Sequence, residues 1–162
     1  MTTQRLGVIM NGVTGRMGLN QHLIRSIVAI RDQGGVKLAN GDRMMPDPIL
    51  VGRDSDKVEG LARRFNVERW TTDLDKALLE PSDSIFFDAA TTQARPSLLT
   101  KAINAGKHVY CEKPIATNLN EAVEIAQMAQ KSPARPAAFF CGDDGATSPV
   151  FTRTFIPPRP TA

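Results

Sequence analysis

Five short apolar runs, each followed by a stretch of helical periodicity, constrain this chain more than any other feature. Leu6-Gly7-Val8-Ile9-Met10, Ile49-Leu50-Val51, Val67 to Trp70, Ile85-Phe86-Phe87-Asp88-Ala89-Ala90 and His108-Val109-Tyr110-Cys111 read as strands. After the first, Met17, Leu19, Leu23, Ile24, Ile27 and Ile30 recur at helical spacing and predict a helix from about Gly15 to Ile30. Residues 31 to 48 carry Gly34, Gly35, Gly41, Pro46 and Pro48 and read as a loop or short excursion, unusually long for a helix-to-strand link. Asp54 or Ser55 can cap a helix through Val58, Leu61, Ala62 and Phe65. Thr72 or Asp73 can cap a brief one through Leu74, Ala77, Leu78 and Leu79, which Pro81 ends. Pro96 opens a fourth, closed by Gly106, and Asn118 caps a fifth through Ala122, Val123, Ile125, Ala126 and Met128. Strands alternating with helices mean βαβ units, so the fold class is α/β with a doubly wound, mostly parallel sheet.

Right-handed crossovers put the loops that follow the strands along one edge of such a sheet, which is where ligands bind. The first of these loops is Gly12-Val13-Thr14-Gly15-Arg16-Met17-Gly18. It is G-x-x-G-x-x-G rather than the strict G-x-G-x-x-G. The physics is the same: glycines let the backbone approach a pyrophosphate, and the helix N-terminus offers free N–H groups. The turn follows a strand and opens a helix, the context such a motif requires. A plain tight turn is the competing reading.

At the end of the second strand, Gly52 is followed by Arg53, with Lys57 one turn into the next helix. An acidic residue there binds both ribose hydroxyls of NAD. Glycine leaves room, and arginine can pair with a 2′-phosphate, so this end favours NADP over NAD. Ala90 ends the fourth strand on the cofactor side, and Thr91, Thr92 and Gln93 follow it, where they would touch the nicotinamide ribose or serve as turn residues. The fifth strand stops at Glu112-Lys113-Pro114. Lys113, beside a nicotinamide, can hydrogen-bond a substrate hydroxyl and relay its proton. The plainer reading is a surface salt bridge between Glu112 and Lys113. His22 reads as a structural mid-helix residue, His108 as packing at a strand start, and Trp70 as core or cofactor-edge packing.

With 162 residues and 41% apolar content the chain can bury one real core. A net charge of +3 without a basic, aromatic-interleaved block argues against nucleic acid as a partner. No apolar run approaches a membrane span and no signal peptide is evident, so a reducing cytoplasm is the expected compartment. Cys111, Cys141, His22 and His108 show no metal-ligand spacing. The pattern fails after about Lys131. From Ser132 onward stand 6 of the chain's 11 prolines, and only Ala137 to Cys141 reads as a strand, a candidate sixth. This divides the chain into a dinucleotide-binding domain at 1–131 and an irregular C-terminal tail at 132–162.

The glycine turn, Val-Gly-Arg-Asp-Ser-Asp-Lys at 51–57, Trp-Thr-Thr-Asp-Leu at 70–74 and Ala-Gly-Lys-His-Val-Tyr-Cys-Glu-Lys-Pro at 105–114 resemble the GFO/IDH/MocA oxidoreductases over about residues 5 to 130. That resemblance implies a Rossmann domain and hydride transfer to or from a sugar, cyclitol or related hydroxy compound. It also implies a lysine near the nicotinamide, matching Lys113. Two departures stand out: the family usually carries an acid where Gly52 stands, and often a histidine after the fourth strand, where this chain has Arg95. The family also has a second domain that supplies substrate contacts and supports oligomers. The expectation is a truncated form with that substrate domain absent and little activity alone. A non-catalytic NAD(P)-binding or sensing module is the alternative. Gly15-Arg16-Met17-Gly18 also resembles the glycine turn of dihydrodipicolinate reductases, but their paired-histidine motif is missing here.

Overall fold

The computed structural model describes residues 2–132 and 140–141. Its strands are β1 (Thr3–Asn11), β2 (Val36–Lys37), β3 (Arg43–Val51), β4 (Arg69–Thr71), β5 (Asp83–Asp88), β6 (His108–Cys111) and β7 (Phe140–Cys141). They form one sheet in the order β2-β3-β1-β5-β6-β7, with β4 also on β3. All pairings are parallel except the β2–β3 hairpin. The chain runs outward from β1 to β3 and β4, then returns to the other side of β1 for β5 and β6. The β1–β5 boundary is therefore the switch point of a doubly wound sheet, where the loops at the strands' carboxyl ends diverge and leave a crevice.

Helices cover both faces: α1 (Gly18–Val28), α2 (Ala29–Asp32), α3 (Ser55–Arg64), α4 (Leu74–Leu78), α5 (Arg95–Asn104) and α6 (Leu119–Lys131). The strands' period of two sends alternate residues to opposite cores. Ile9, Val51, Phe86 and Val109 pack on one side with Leu78, Leu99, Ile103 and Ile125. Val8, Met10, Leu50 and Phe87 pack on the other with Leu23, Val58 and Ala62. Caps fall where short polar side chains can accept an orphan amide. Asp54 accepts from the Lys57 amide, Asp73 from Lys76 and Asn118 from Glu121.

Three expectations are corrected. The stretch 31–48 is not a loop: β2 forms a hairpin on β3, which starts at Arg43 and runs through both prolines. Among the described residues no strand lies between Met44 and Ile49 on the side of β3 away from β1, and Arg31 Nη1 donates to the Pro46 carbonyl at 2.9 Å there. A proline facing that gap costs no ladder hydrogen bond. The helix after the glycine turn is not a plain α-helix. It is wound with π-type hydrogen bonds over Gly18–Val28, so a 3.6-residue stripe does not stay on one face. Leu23 is buried whereas Met17 is exposed. Trp70 is exposed rather than in the core. The candidate strand at 137–141 is present as β7 at 140–141. Residues 137–139 and the rest of the tail lie outside the described residues.

At the amino ends of the strands, four side chains knit β1, β3, β4 and β5 together. Arg5 meets Asp47 at 2.5 Å and Asp83 at 2.9 Å, and Arg69 meets Asp47 at 2.9 Å and also Asp83. Burial pushes the Asp47 carboxyl up, but the hydrogen bonds from Arg5 and Arg69 outweigh it and hold Asp47 below its usual range. A carboxylate with a depressed native pKa stabilises the fold above its unfolded pKa, and that stability is lost as pH falls through the native value. Asp47→Asn is therefore expected to lower stability by about 1 kcal/mol near neutral pH. Thermal unfolding of both proteins should show that difference shrinking as pH drops below about 4.

Candidate functional site

The carboxyl ends of the strands are stitched side to side by backbone bonds. The Gly52 amide donates to Thr71 at 3.3 Å, the Ala89 amide to Asn11 at 3.0 Å and the Glu112 amide to Asp88 at 2.9 Å. Val51 is in register with Asn11, and Asn11 with Asp88. The glycine turn, Gly52-Arg53, Ala90-Thr91-Thr92 and Glu112-Lys113 thus follow the ends of adjacent strands along one edge.

Within the turn the glycines serve two purposes. Gly12 has φ +80°, and a Cβ there would lie 2.6 Å from the Ala89 carbonyl carbon. A Cβ on Gly18 would lie 2.5 Å from the Gly12 oxygen. Both are demanded by the chain's own close approach. A Cβ on Gly15 meets only the Gly12 oxygen, at an ordinary 3.4 Å, and Gly15 is exposed. Gly15 therefore lies on the open face of the turn. No side chain caps α1 and no acid stands in its first turn. By contrast, α3, α4 and α6 each have both a capping side chain and an acid. The positive end of α1 is left for an external anion. This backbone fits a pyrophosphate. Val13 is buried in the core, while Thr14, Arg16 and Met17 are exposed around the turn.

At the end of β3, Gly52 is buried, and a Cβ there would lie 2.6 Å from Val58 Cγ2 and 3.5 Å from Thr14 Cγ2. A β-branched neighbour cannot swing away, so the acid expected from the resemblance has no room without repacking α3. Arg53 is exposed. Lys57 is ion-paired with Asp54 at 3.0 Å, and hydrogen bonding from Lys57 pulls the Asp54 carboxyl down. At the end of β5, Thr91 offers its carbonyl to the amides of Ala94 and Arg95, both at 3.1 Å, so this segment is at least a turn.

At the end of β6, the Lys113–Pro114 bond is cis. Glu112 does not pair with Lys113. Its carboxylate meets Nε2 of His22 from α1, whose ring lies tilted 4.4 Å from Phe87 and edge-on 5.7 Å from Tyr110. Lys113 projects exposed at the edge. Asp88, wholly buried, pairs with Arg95 at 3.0 Å. These pairings set the charge of the edge. Its carboxylates Asp54, Asp88 and Glu112 each have a basic partner, while Arg16, Arg53 and Lys113 make no ion pair among the described residues. The edge can receive a ligand carrying several negative charges.

Three participants escaped the sequence reading: Asp88, Arg95 and His22. Asp88 did carry a signal. An acid inside the apolar run Ile85–Ala90 needs a buried partner, and Arg95 opens the next helix. Among the described residues no cluster of His, Cys, Asp and Glu could hold a metal ion, and no helix is long and apolar enough to cross a membrane.

Residues 12–139 match the profile of an oxidoreductase family, GFO/IDH/MocA, with an NAD-binding Rossmann fold. A D-xylose dehydrogenase of Paenarthrobacter nicotinovorans is 48% identical over 125 residues, which are 77% of this chain and 32% of that protein. This chain spans about a third of that relative's length. An NAD-binding oxidoreductase from Klebsiella pneumoniae shares the fold with a TM-score of 0.68 at 24% identity, over 85% of this chain and 34% of that one. Levoglucosan dehydrogenase, solved with NADH and levoglucosan, does so with a TM-score of 0.66 at 23% identity, over 80% of this chain and 33% of the other.

The division of labour among the glycines is testable by thermal unfolding. Gly12→Ala should cost at least about 2 kcal/mol, because it places a side chain at positive φ against backbone. Gly15→Ala should stay within about 1 kcal/mol of the parent, since the position is open and alanine restricts the unfolded chain.

Proposed function

The chain belongs to the GFO/IDH/MocA oxidoreductases with their NAD-binding Rossmann fold, and from that premise we propose that its sheet edge holds a nicotinamide dinucleotide against a sugar or cyclitol hydroxyl. The observation that carries the reading is the charge pattern at this edge: Asp54, Asp88 and Glu112 each have a basic partner, while Arg16, Arg53 and Lys113 make no ion pair among the described residues. Gly15 admits the pyrophosphate to the amides at the start of α1. Val13, Thr14, Arg16 and Met17 complete the turn around it, with Gly12 and Gly18 holding its shape.

Arg53 faces the adenosine ribose and favours a 2′-phosphate, so NADP is the preferred cofactor and NAD the weaker one. Gly52, with Val58 filling the space behind it, carries no acid to compete for the ribose hydroxyls or to repel the phosphate. Lys57 stands one turn further along. Ala90, Thr91 and Thr92 line the nicotinamide ribose. The bound cofactor supplies a hydride acceptor or donor. Lys113 hydrogen-bonds the reacting oxygen and exchanges a proton with it, while Glu112, fastened to His22, keeps its charge off the lysine. The D-xylose dehydrogenase relative supports a sugar as substrate class. Turnover is a property of the whole protein, of which this chain matches about a third in that relative.

Calorimetric titration of the chain with NADPH and NADH tests this reading. NADPH should bind more tightly. Arg53→Ala should weaken NADPH by about tenfold or more, the worth of a charged hydrogen bond, and leave NADH nearly unchanged. Equal effects on both cofactors would remove Arg53 from the ribose phosphate. Oxidation of a sugar or polyol from a panel with NADP+ would favour the dehydrogenase over the sensing module.

A further inference from the structure

Asp88 and Arg95 lie between the glycine turn and the Lys113 corner and touch both. Asp88 Oδ1 accepts from Asn11 Nδ2 at 2.7 Å, and Asn11 is the residue before Gly12. Asp88 Oδ2 accepts from Arg95 Nε at 3.0 Å. The other two arms of the guanidinium reach backbone carbonyls: Nη2 donates to Ala90 at 2.6 Å and Nη1 to Pro114 at 2.5 Å. Both side chains are shut away from water, with 0% exposure for Asp88 and 3% for Arg95. A buried guanidinium needs acceptors for its remaining N–H groups, and Arg95 finds them on two separate loops. The two carbonyls belong to loops at the ligand edge, one on Ala90 beside Thr91 and the other on Pro114, the residue after Lys113. A planar fork with separated donors spans all three acceptors at once, which a single ammonium cannot.

We propose that Arg95 is a positioning residue: it fixes the Lys113–Pro114 corner relative to the glycine turn, and so sets where the Lys113 amine meets the nicotinamide end of the cofactor. The cofactor part rests on the function proposed above. The fastening of the corner does not.

Two variants of the full chain separate positioning from simple stability. Arg95→Lys keeps a positive charge opposite Asp88 and loses the fork. Asp88→Asn combined with Arg95→Met removes both buried charges and keeps an acceptor for Asn11, and uncharged replacements of a buried pair are often tolerated. Each is followed by thermal unfolding and by amide hydrogen exchange resolved along the chain. In whichever variant unfolds cooperatively, exchange over residues 111–117 should rise about tenfold or more, with β1 and β3 unchanged. Unchanged exchange over 111–117 in a folded variant would overturn the proposal, as would a rise spread evenly over all strands. Failure of both variants to fold would also count against it, since the pair would then serve the whole domain.

The same proteins are titrated with NADPH and with 2′-phospho-ADP-ribose, which lacks the nicotinamide. A folded variant should bind the nicotinamide-free probe within about twofold of the parent and lose the additional affinity for NADPH. Retention of that additional affinity would refute the positioning of Lys113. If the parent binds neither probe, the cofactor reading fails, and hydrogen exchange still decides whether Arg95 holds the corner.

Discussion

The Asp88 carboxylate sits at the end of β5 with no access to water, and Arg95 meets it there at 3.0 Å. An isolated buried charge is far too costly to keep, and removing one partner of such a pair typically costs about 3–5 kcal/mol. The pair therefore imposes a geometry on everything around it. Asn11 must present its amide to the same carboxylate, which fixes the last residue of β1 before the glycine turn. The Asp88 carbonyl takes the Glu112 amide, which fixes the end of β6. Three strand ends and the start of α5 converge on one acid. The ligand edge is built on this buried centre rather than on free loops.

The sheet order makes that centre useful. Because β3 and β5 flank β1 on opposite sides, the loop after β1 has a neighbouring strand end on each hand. The turn is drawn so tight that a side chain at Gly12 or Gly18 would strike backbone, and this closeness brings the start of α1 over the sheet edge. The helix arrives without a capping side chain or an acid, so its positive end remains available. Gly15, the one glycine that the chain itself does not require, is the one facing outward.

Charge is sorted between the two edges of the sheet. At the amino ends, two arginines and two aspartates satisfy one another across four strands and leave little net field. At the carboxyl ends Asp54, Asp88 and Glu112 are paired, and Arg16, Arg53 and Lys113 make no ion pair among the described residues. The pairing of Glu112 with His22 belongs to this edge. The same pairing links α1, which carries the phosphate-binding turn, to the strand end that carries Lys113.

The sequence by itself determined the alternation of strands and helices, the cap at Asn118, caps at Asp54 or Ser55 and at Thr72 or Asp73, the glycine turn and the strand that ends at Glu112-Lys113. These are local properties: side-chain period and the demands of single backbone positions act within a few residues. Only the tertiary structure decided the rest. Pro46 and Pro48 read as breakers, yet they stand in β3 because the gap beside them is a matter of which strands are neighbours. The winding of α1 and the exposure of Trp70 likewise depend on what packs nearby. His22 and Glu112 are 90 positions apart, and Asn11 and Asp88 are 77 apart. A buried charge announces that it needs a partner, but no local pattern says which residue the fold will bring to it.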